Sequence, residues 1–435
     1  MREMKRQMRE MKDSGIEWIG EIPVGWEVCR IKELFHEVNE RCENGNDYTL
    51  LSVSEYYGVS PKSQRISDDD MLTHAETLDG YKVCHENDIV MNIMLAWKRA
   101  LGVSQYEGIV SPAYCVYRTN KELDSKYFHY LYRTDMYANL FKQFSTGIID
   151  SRLRLYPDKF LSLKCQVPPL EEQHRISTYL DTKCEKIDSI IARQQEVIEK
   201  LKAYKLSVIT EAVTKGLNPD VRMKDSGVEW IGDVPEHWEI TKFKYLSLEI
   251  GDGIHTTPEY DLAGSIYFIN GNNIRFDNLV FKDNTNTINE DEYKKYKPSL
   301  LTTDTILITL NGATYGKTSF YNGEKVLLGK SAGYITLKPT ENKRFLRYYL
   351  QSNAAKLIME ISLLGSTIAN LSLNTLKNFS MSYPPKNEQC EIVEYLDKKC
   401  SAIDSAIAKK QAVIEKLTAY KKSLIYEVVT GKREV

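Results

Sequence analysis

A chain of 435 residues, 42% of them hydrophobic, has material for more than one core, and its net charge of -2 with a pI near 6.4 carries no overall basic signature. That balance excludes a nonspecific polycationic coat for nucleic acid and leaves only local basic patches. Eight cysteines (Cys29, Cys42, Cys84, Cys115, Cys165, Cys184, Cys390 and Cys400) form no CxxC pair or His-rich ligand cluster, so they are expected to be reduced, buried thiols of a cytosolic protein.

The chain opens with MREMKRQMREMKDSG, charged and helix-prone but without the apolar stretch of a secretory leader. No apolar run reaches membrane-spanning length, and a soluble cytoplasmic protein without membrane contact is expected. Met11 to Glu27, MKDSGIEWIGEIPVGWE, returns 212 residues later as Met223 to Glu239, MKDSGVEWIGDVPEHWE. In both copies tryptophans (Trp18 and Trp26; Trp230 and Trp238) stand beside a proline (Pro23; Pro235), a pattern that anchors a segment against a neighbouring surface.

The region from 28 to 166 has apolar runs at Asp88 to Met94 and Gly108 to Arg118, then a helix-like stretch Lys126 to Phe144. Pro168 to Gly216 then reads as one long helix. Its apolar positions alternate steps of three and four: Leu180, Cys184, Ile187, Ile191, Ile198, Leu201 and Val208. The same segment recurs at Pro384 to Lys432, 216 residues on, with Leu396, Cys400, Ile403, Ile407, Ile414, Leu417 and Leu424. This is a coiled-coil seam, and a helix of roughly 45 residues, about 67 Å long, needs a partner; the other copy is the nearest candidate. Polar Gln194 and Lys410 interrupt the seams, fitting either a register device or a solvated kink. Pro-Pro followed by Glu171 and Glu172, or by Asn387 and Glu388, starts each helix, and Gly216 and Gly431 stop it. Between Leu170 and Lys215 the helix carries eight acidic and eight basic residues, a balanced face suited to water or protein and poor at holding a DNA backbone.

The second variable region, 240 to 382, does not match the first. It has short strand-like runs at Ser265 to Asn270, Thr305 to Leu310, Lys317 to Tyr321 and Gly333 to Leu337, then a helix-like stretch Arg344 to Ile361. Gly312-Ala-Thr-Tyr-Gly316-Lys317-Thr318 has three residues between its glycines where a phosphate-binding loop needs four, and the next residues, SFYNGEK, read as strand and turn. Leu248-Glu-Ile-Gly251-Asp-Gly253 lacks the third glycine and the helix of a methyltransferase cofactor loop. The seven histidines have no metal spacing and no nucleophile elbow is visible, so the chain reads as non-catalytic.

The duplicated order of variable domain, Pro-Pro-x-x-Glu-Gln (Pro168, Pro169, Glu172, Gln173; Pro384, Pro385, Glu388, Gln389), long helix and Trp-Ile-Gly-x-x-Pro flank closely resembles the specificity subunit of type I restriction-modification systems. The resemblance covers nearly the whole chain and is most specific at Ile176, Leu180 and Asp181 and at Ile392, Leu396 and Asp397. Gly251-Asp-Gly-Ile-His-Thr-Thr-Pro258 looks like a motif of many target-recognition domains, and Asn92, Ala96-Trp97, Gly102 and Ser111-Pro112-Ala113-Tyr114 are similar to another such class.

The resemblance implies an α+β protein: two mixed target-recognition domains separated by two long helices that form an antiparallel coiled coil, with an internal pseudo-two-fold repeat. The expected boundaries are 1–167 for the flank and first domain, 168–216 for the central helix, 217–383 for the second flank and domain, and 384–435 for the C-terminal helix. It further implies double-stranded DNA as partner, read as two halves of a split, asymmetric site. Two methyltransferase subunits would hold S-adenosylmethionine, separate motor-nuclease subunits would hold ATP and Mg, and no cofactor or metal would be bound by this chain. The helix-pair interface is expected at Leu180, Cys184, Ile187, Ile191, Ile198 and Leu201 against Leu396, Cys400, Ile403, Ile407, Ile414 and Leu417.

Donors suited to base edges and phosphates gather in the variable regions: Lys98, Arg99, Arg152 and Arg154 in the first, the last two on one side of an extended segment, and His255, Thr256, Thr257, Asn272, Asn273, Arg275, Asn311, Tyr315 and Lys317 in the second. Two other classes compete. A coiled-coil scaffold explains the helices but not two dissimilar domains at equivalent positions, and a stand-alone DNA methyltransferase needs the missing cofactor motifs.

Overall fold

Alternation along a few central strands builds both cores. The computed structural model describes residues 9–64, 77–275, 278–297, 299–312, 315–363 and 370–435, and the chain falls into two units, Met1–Gln194 with Ala412–Val435, and Gln195–Gln411.

In the first unit Phe35–Val38, Tyr114–Thr119, Ile89–Asn92 and Leu101–Val103 lie in that order across one antiparallel sheet. Ile89, Met91, Leu101, Cys115 and Tyr117 point into one apolar cluster, while Val90, Val116 and Ala100 point into another with Leu51, Val53, Val59 and Val110. Both faces are covered, so these strands read as continuous apolar runs rather than as alternating ones. The run Gly108 to Arg118 is two strands, Gly108–Val110 and Tyr114–Thr119, because Ser111-Pro112 breaks the pairing. The expected helix Lys126 to Phe144 is also two, Ser125–Tyr132 and Asp135–Phe144. The Thr134 side chain accepts the Tyr137 amide and caps the second.

The second unit repeats this frame with other residues. Ser247–Asp252, Ala332–Leu337, Thr305–Thr309 and Thr318–Phe320 form the corresponding four-stranded antiparallel sheet. Ile306, Ile308 and Ile335 enter one cluster, and Leu307, Ala332 and Tyr334 the other. The expected helix Arg344 to Ile361 is again divided, into Lys343–Gln351 and Asn353–Leu363, with the Ser352 hydroxyl accepting the Ala355 amide.

The flanks are short hairpins, Met11–Asp13 with Glu21–Pro23 and Met223–Asp225 with Asp233–Pro235. Helix propensity therefore loses at 11–13 to pairing with Glu21–Pro23, and residues 1–8 of that expectation lie outside the described residues. Beyond each hairpin a fully buried tryptophan reaches the start of the long helix of its own half. Trp26 Nε1 donates to Glu172 Oε2 at 3.0 Å, and Trp238 Nε1 to Glu388 Oε2 at 2.9 Å. The adjoining glutamine satisfies the carbonyl that the Pro-Pro break leaves open: Gln173 Nε2 donates to the Pro168 carbonyl at 2.8 Å, Gln389 Nε2 to that of Pro384 at 2.9 Å.

The long helices are Leu170–Lys215 and Lys386–Val429, each running from one unit into the other. In the first unit Ile176, Leu180 and Ile187 share a cluster with Leu424, Val428 and Val429, and Lys421 Nζ binds the Asp188 carboxylate at 2.6 and 2.7 Å. In the second, Val208, Ile209 and Val213 share a cluster with Ile392, Leu396 and Cys400, and Lys205 binds Asp404 at 2.6 and 2.8 Å. The beginning of each helix meets the end of the other, so the pairing is antiparallel. Of the expected seam residues, Leu180, Cys184, Ile187, Ile198, Leu396, Cys400 and Ile403 are buried, and Ile191, Leu201, Ile407, Ile414 and Leu417 are half-buried.

Each helix ends against the tryptophan of the other half. Gly216 and Gly431 take the left-handed conformation (φ 79° and 73°), and a Cβ on either would press on Trp238 or Trp26 at 3.2 Å. The last carbonyls are also claimed: Tyr127 Oη donates to Val429 O at 3.0 Å, and Ser382 Oγ to Val213 O at 2.7 Å. The eight cysteines are free, six of them buried; Cys29 is half-buried and Cys390 exposed, against the expectation that all are buried, because the one sits on a two-stranded ribbon and the other on the outer face of a helix.

Candidate nucleic-acid interface

In the first unit the candidate residues come from loops that meet at the sheet end where Ile89–Asn92 stops and Tyr114–Thr119 begins. The loop after Asn92 turns through a short 3-10 helix, Ala96–Lys98, and Arg99 closes it in the left-handed region (φ 67°). The loop reaching Leu155 lies beside it, since the Leu155 amide donates to the Ile93 carbonyl at 2.9 Å. Lys142 links the two, its ammonium 4.8 Å from the Trp97 ring centroid and 2.8 Å from Asp150 Oδ2. Lys98, Arg152 and Arg154 are exposed on this surface, while Leu153 and Leu155 are buried, so both arginines face outward.

Two expectations change. Arg152 ends the 3-10 turn Asp150–Arg152, and only Arg154 is in an extended segment, bridged to Thr146 by backbone bonds of 2.9 and 3.0 Å. Arg99 is engaged: its guanidinium pairs with Asp135 at the start of the helix Asp135–Phe144, where the carboxylate also favours the helix dipole.

Residues not singled out in the sequence hold this loop in place. Arg133 Nη1 donates to the carbonyls of Arg99 (2.6 Å), Leu101 (2.7 Å) and Ser54 (3.4 Å), and its Nη2 to that of Glu55 (3.0 Å). His129 accepts the Val103 amide on Nδ1 at 3.2 Å, its ring wedged between Gly58 and Gly102. Burial there, with Arg133 and Lys126 adding like-charge repulsion, pushes its pKa down to about 3. The unfolded chain takes up that proton near pH 6.5, so stability is complete above about 6.5 and declines as the pH falls toward 3. The loss should be roughly 3 kcal/mol at pH 4. Thermal unfolding followed between pH 7 and 4 should show this acid slope, and His129→Gln, which keeps an acceptor for Val103 without a titrating ring, should flatten it.

The second unit gathers its candidates at the corresponding sheet end, around the turn 329–331. Gly253 N donates to Ala332 O at 3.1 Å, Gly271 N to Ser331 Oγ at 2.9 Å, and Leu310 N to Ser331 O at 3.0 Å. A Cβ on Gly253 would collide with the Leu328 carbonyl and one on Gly329 with the Asn270 side chain, so glycine is what lets these segments close up. The loop from Asn370 lies against the loop after Thr309 through Leu371 N donating to Leu310 O at 2.7 Å, the counterpart of the Leu155 to Ile93 bond.

His255, Thr256, Thr257, Asn272 and Arg275 are exposed on these loops. His255 Nε2 lies 2.8 Å from Asp252 Oδ2. Asn273 is engaged with the backbone: its Oδ1 accepts the Asn270 amide at 3.0 Å and its Nδ2 donates to Val280 O at 3.0 Å, so it holds the loop. Tyr315 packs against the apolar core, and Asn311 bridges to Asn370 through the backbone; both, with Lys317, are half-buried. Exposed Lys330, at the centre of the gathered loops, was not picked out. Its signal was the Gly-Lys-Ser turn between two apolar strands. Glu292 was also missed: Lys295 (2.6 Å), the Tyr296 hydroxyl (2.7 Å) and the Glu259 amide (3.1 Å) hold its carboxyl down to about 2, fastening the segment after Pro258.

A family model described as the type I restriction modification DNA specificity domain matches residues 23–200 and 255–416, more than half of the chain. The chain belongs to that family. Among relatives of this DNA-specificity family, the type I restriction enzyme MjaVIII specificity subunit of Methanocaldococcus jannaschii is 24% identical over 95% of this chain and 94% of its own. The StySPI specificity subunit of Salmonella potsdam is 23% identical over 95% and 90%. The fold is shared with a chain solved in a study of assembly and conformational transition of the type I R-M system (TM-score 0.70, 17% identity, 95% and 99% covered). It is shared also with the HsdS subunit from Thermoanaerobacter tengcongensis (TM-score 0.50, 18% identity, 95% and 98% covered).

This specificity subunit is a non-catalytic, DNA-recognising component of a restriction-modification system. Its phosphate-loop look-alike joins Thr305–Thr309 to the antiparallel strand Thr318–Phe320, so Gly312 and Gly316 serve a strand connection; residues 313–314 lie outside the described residues. Among the described residues, no helix is long and apolar enough to cross a membrane.

Proposed function

We propose that each unit reads one half of a split, asymmetric site in double-stranded DNA, through the loops at the end of its four-stranded sheet. The observation that carries this reading is a common frame bearing unlike loops. The strand order and the bonds Leu155 to Ile93 and Leu371 to Leu310 correspond, whereas Trp97-Lys98 with Arg152 and Arg154 has no residue counterpart in His255-Thr256-Thr257, Asn272, Arg275 and Lys330. Equal frames place the reading loops alike, and unequal loops make the two half-sites different.

Partner subunits supply the chemistry in this reading: two methyltransferase subunits holding S-adenosylmethionine, and motor-nuclease subunits holding ATP and Mg. Each long helix keeps a second, exposed row at heptad spacing, Ile190, Val197 and Tyr204 on the first and Val413 and Tyr420 on the second. Such a row beside a buried seam suits further helices from a partner, and its duplication suits two copies. The purified chain should accordingly bind neither S-adenosylmethionine nor ATP in calorimetric titration; binding of either would favour a self-sufficient enzyme.

Methylation mapping on the assembled enzyme tests the division of labour. Replacing Lys98, Arg152 and Arg154 by alanine should relax or weaken one half-site and leave the other unchanged, lowering the slope of affinity against salt by about 1 for each phosphate contact removed. Replacing Thr256, Asn272 and Arg275 should act on the other half alone. Equal effects on both halves, or none on either, would overturn the reading.

A further inference from the structure

Tyr56 and Tyr57 form the tip of the hairpin Leu51–Ser54 and Gly58–Pro61 and are 76% and 69% exposed, with ring centroids 6.4 Å apart. Large side chains this exposed are common singly, but two adjacent exposed rings at a rigid tip offer a contact surface. The tip is not a loose loop: the Tyr56 amide donates to Ser54 Oγ at 3.1 Å, and the four carbonyl bonds of Arg133 join Ser54 and Glu55 directly to Arg99 and Leu101. Strand Leu101–Val103 begins at the sheet end where Ile89–Asn92 stops, so the tyrosines stand beside the cationic loop that carries Lys98. Gly58 packs against Gly102, which keeps the hairpin flush with that strand.

We infer that Tyr56 and Tyr57 are a DNA-contact element of the first recognition domain, applying their rings to deoxyribose and base edges next to the phosphates held by the Lys98 loop; this rests on the DNA-reading role proposed above for the same surface. Tyrosine suits the task, because two side-chain torsions are cheap to fix and the ring offers apolar area with one polar end. The occupant is DNA and not protein because the charge of this surface is net cationic: Asp135 and Asp150 are paired with Arg99 and Lys142, Glu55 is the acid beside Tyr56, and Lys98, Arg152 and Arg154 are exposed in addition, complementary to a duplex. A contact of this kind releases no counterions. It therefore adds affinity without adding to the salt dependence.

The test uses the complex assembled with its methyltransferase subunits and a cognate duplex, with binding measured from low to high salt. Y56A/Y57A should weaken binding at least tenfold with an unchanged salt slope, and Y56F/Y57F, which keeps the rings, should bind within about threefold of the parent. A duplex carrying 5-iodouracil across the first half-site should photo-crosslink to one of the two tyrosines. If Y56A/Y57A binds as the parent does and no crosslink forms while K98A/R152A/R154A weakens binding, the inference fails and the DNA-reading role stands; if neither variant changes binding, that role fails with it. Equal loss in the phenylalanine and alanine variants would overturn ring contact. Loss of assembly with the methyltransferase subunits by a normally melting Y56A/Y57A chain would make the tip a protein contact and also overturn the inference.

Discussion

A chain cut within the linker 216–221 should reassemble from its two fragments, and neither fragment should complete its fold alone. The compact units are not the two sequence halves that the repeat suggests: the first unit takes residues 412–435 from the second half, and the second unit takes 195–215 from the first. Leu424, Val428 and Val429 are core residues of the first unit, and Val208, Ile209, Ala212 and Val213 of the second. Burying three aliphatic side chains is worth about 6 kcal/mol, within the whole net stability of an ordinary domain, which is about 5 to 15 kcal/mol. Each isolated fragment should therefore bind a hydrophobic dye and lack a cooperative melt, while co-expressed fragments should elute together and regain both. Fragments that are stable monomers, or that fail to associate, would show that the exchanged helix ends contribute little.

Four residues inserted in each long helix, after Gln194 in the first and near Lys410 in the second, should change the spacer of the recognised site and leave both half-sites as they were. The helices continue without interruption through both positions. Four residues add about 6 Å of rise and turn the distal part of each helix by about 40° beyond one whole turn. DNA half-sites one helical turn apart lie about 34 Å from each other, so 6 Å corresponds to roughly two base pairs, less whatever the added turn takes up. Mapping methylated positions before and after the insertion reads the result directly. A fixed spacer with altered bases would move recognition onto the helices, whose charges along Leu170–Lys215 balance at eight acidic and eight basic.

The repeat, the seam and the helix stops were legible because each rests on local chemistry: Pro-Pro to start, an apolar period of three and four to pair, glycine to end. What Glu172 and Gln173 do was not legible, since their partners Trp26 and Pro168 are fixed by a packing that the motif does not spell out. Helix boundaries at Thr134 and Ser352 were hidden inside aromatic, helix-prone stretches whose caps are single hydroxyl residues. Among the candidate contacts, exposure on loops was readable at Lys98, Arg154, Thr256 and Asn272. The engagement of Arg99 by Asp135 and of Asn273 by its own turn was not, because a donor's sequence neighbourhood does not reveal which acceptor folding brings to it.

The exchange of helix ends also sets an order of completion during synthesis. The second unit, 195–411, is one continuous stretch and has all its residues before the chain is finished. The first unit, made earlier, waits for the last turns: until Gly431 and Val429 arrive, Trp26 and the Tyr127 hydroxyl lack the neighbours that cover them. At about 5–20 residues per second, the 241 residues from 195 to 435 take roughly 12 to 48 s to make, so the first domain to leave the ribosome is the last to close. A chain that stops before Val428 should thus damage the domain built from the earliest residues, 9–194.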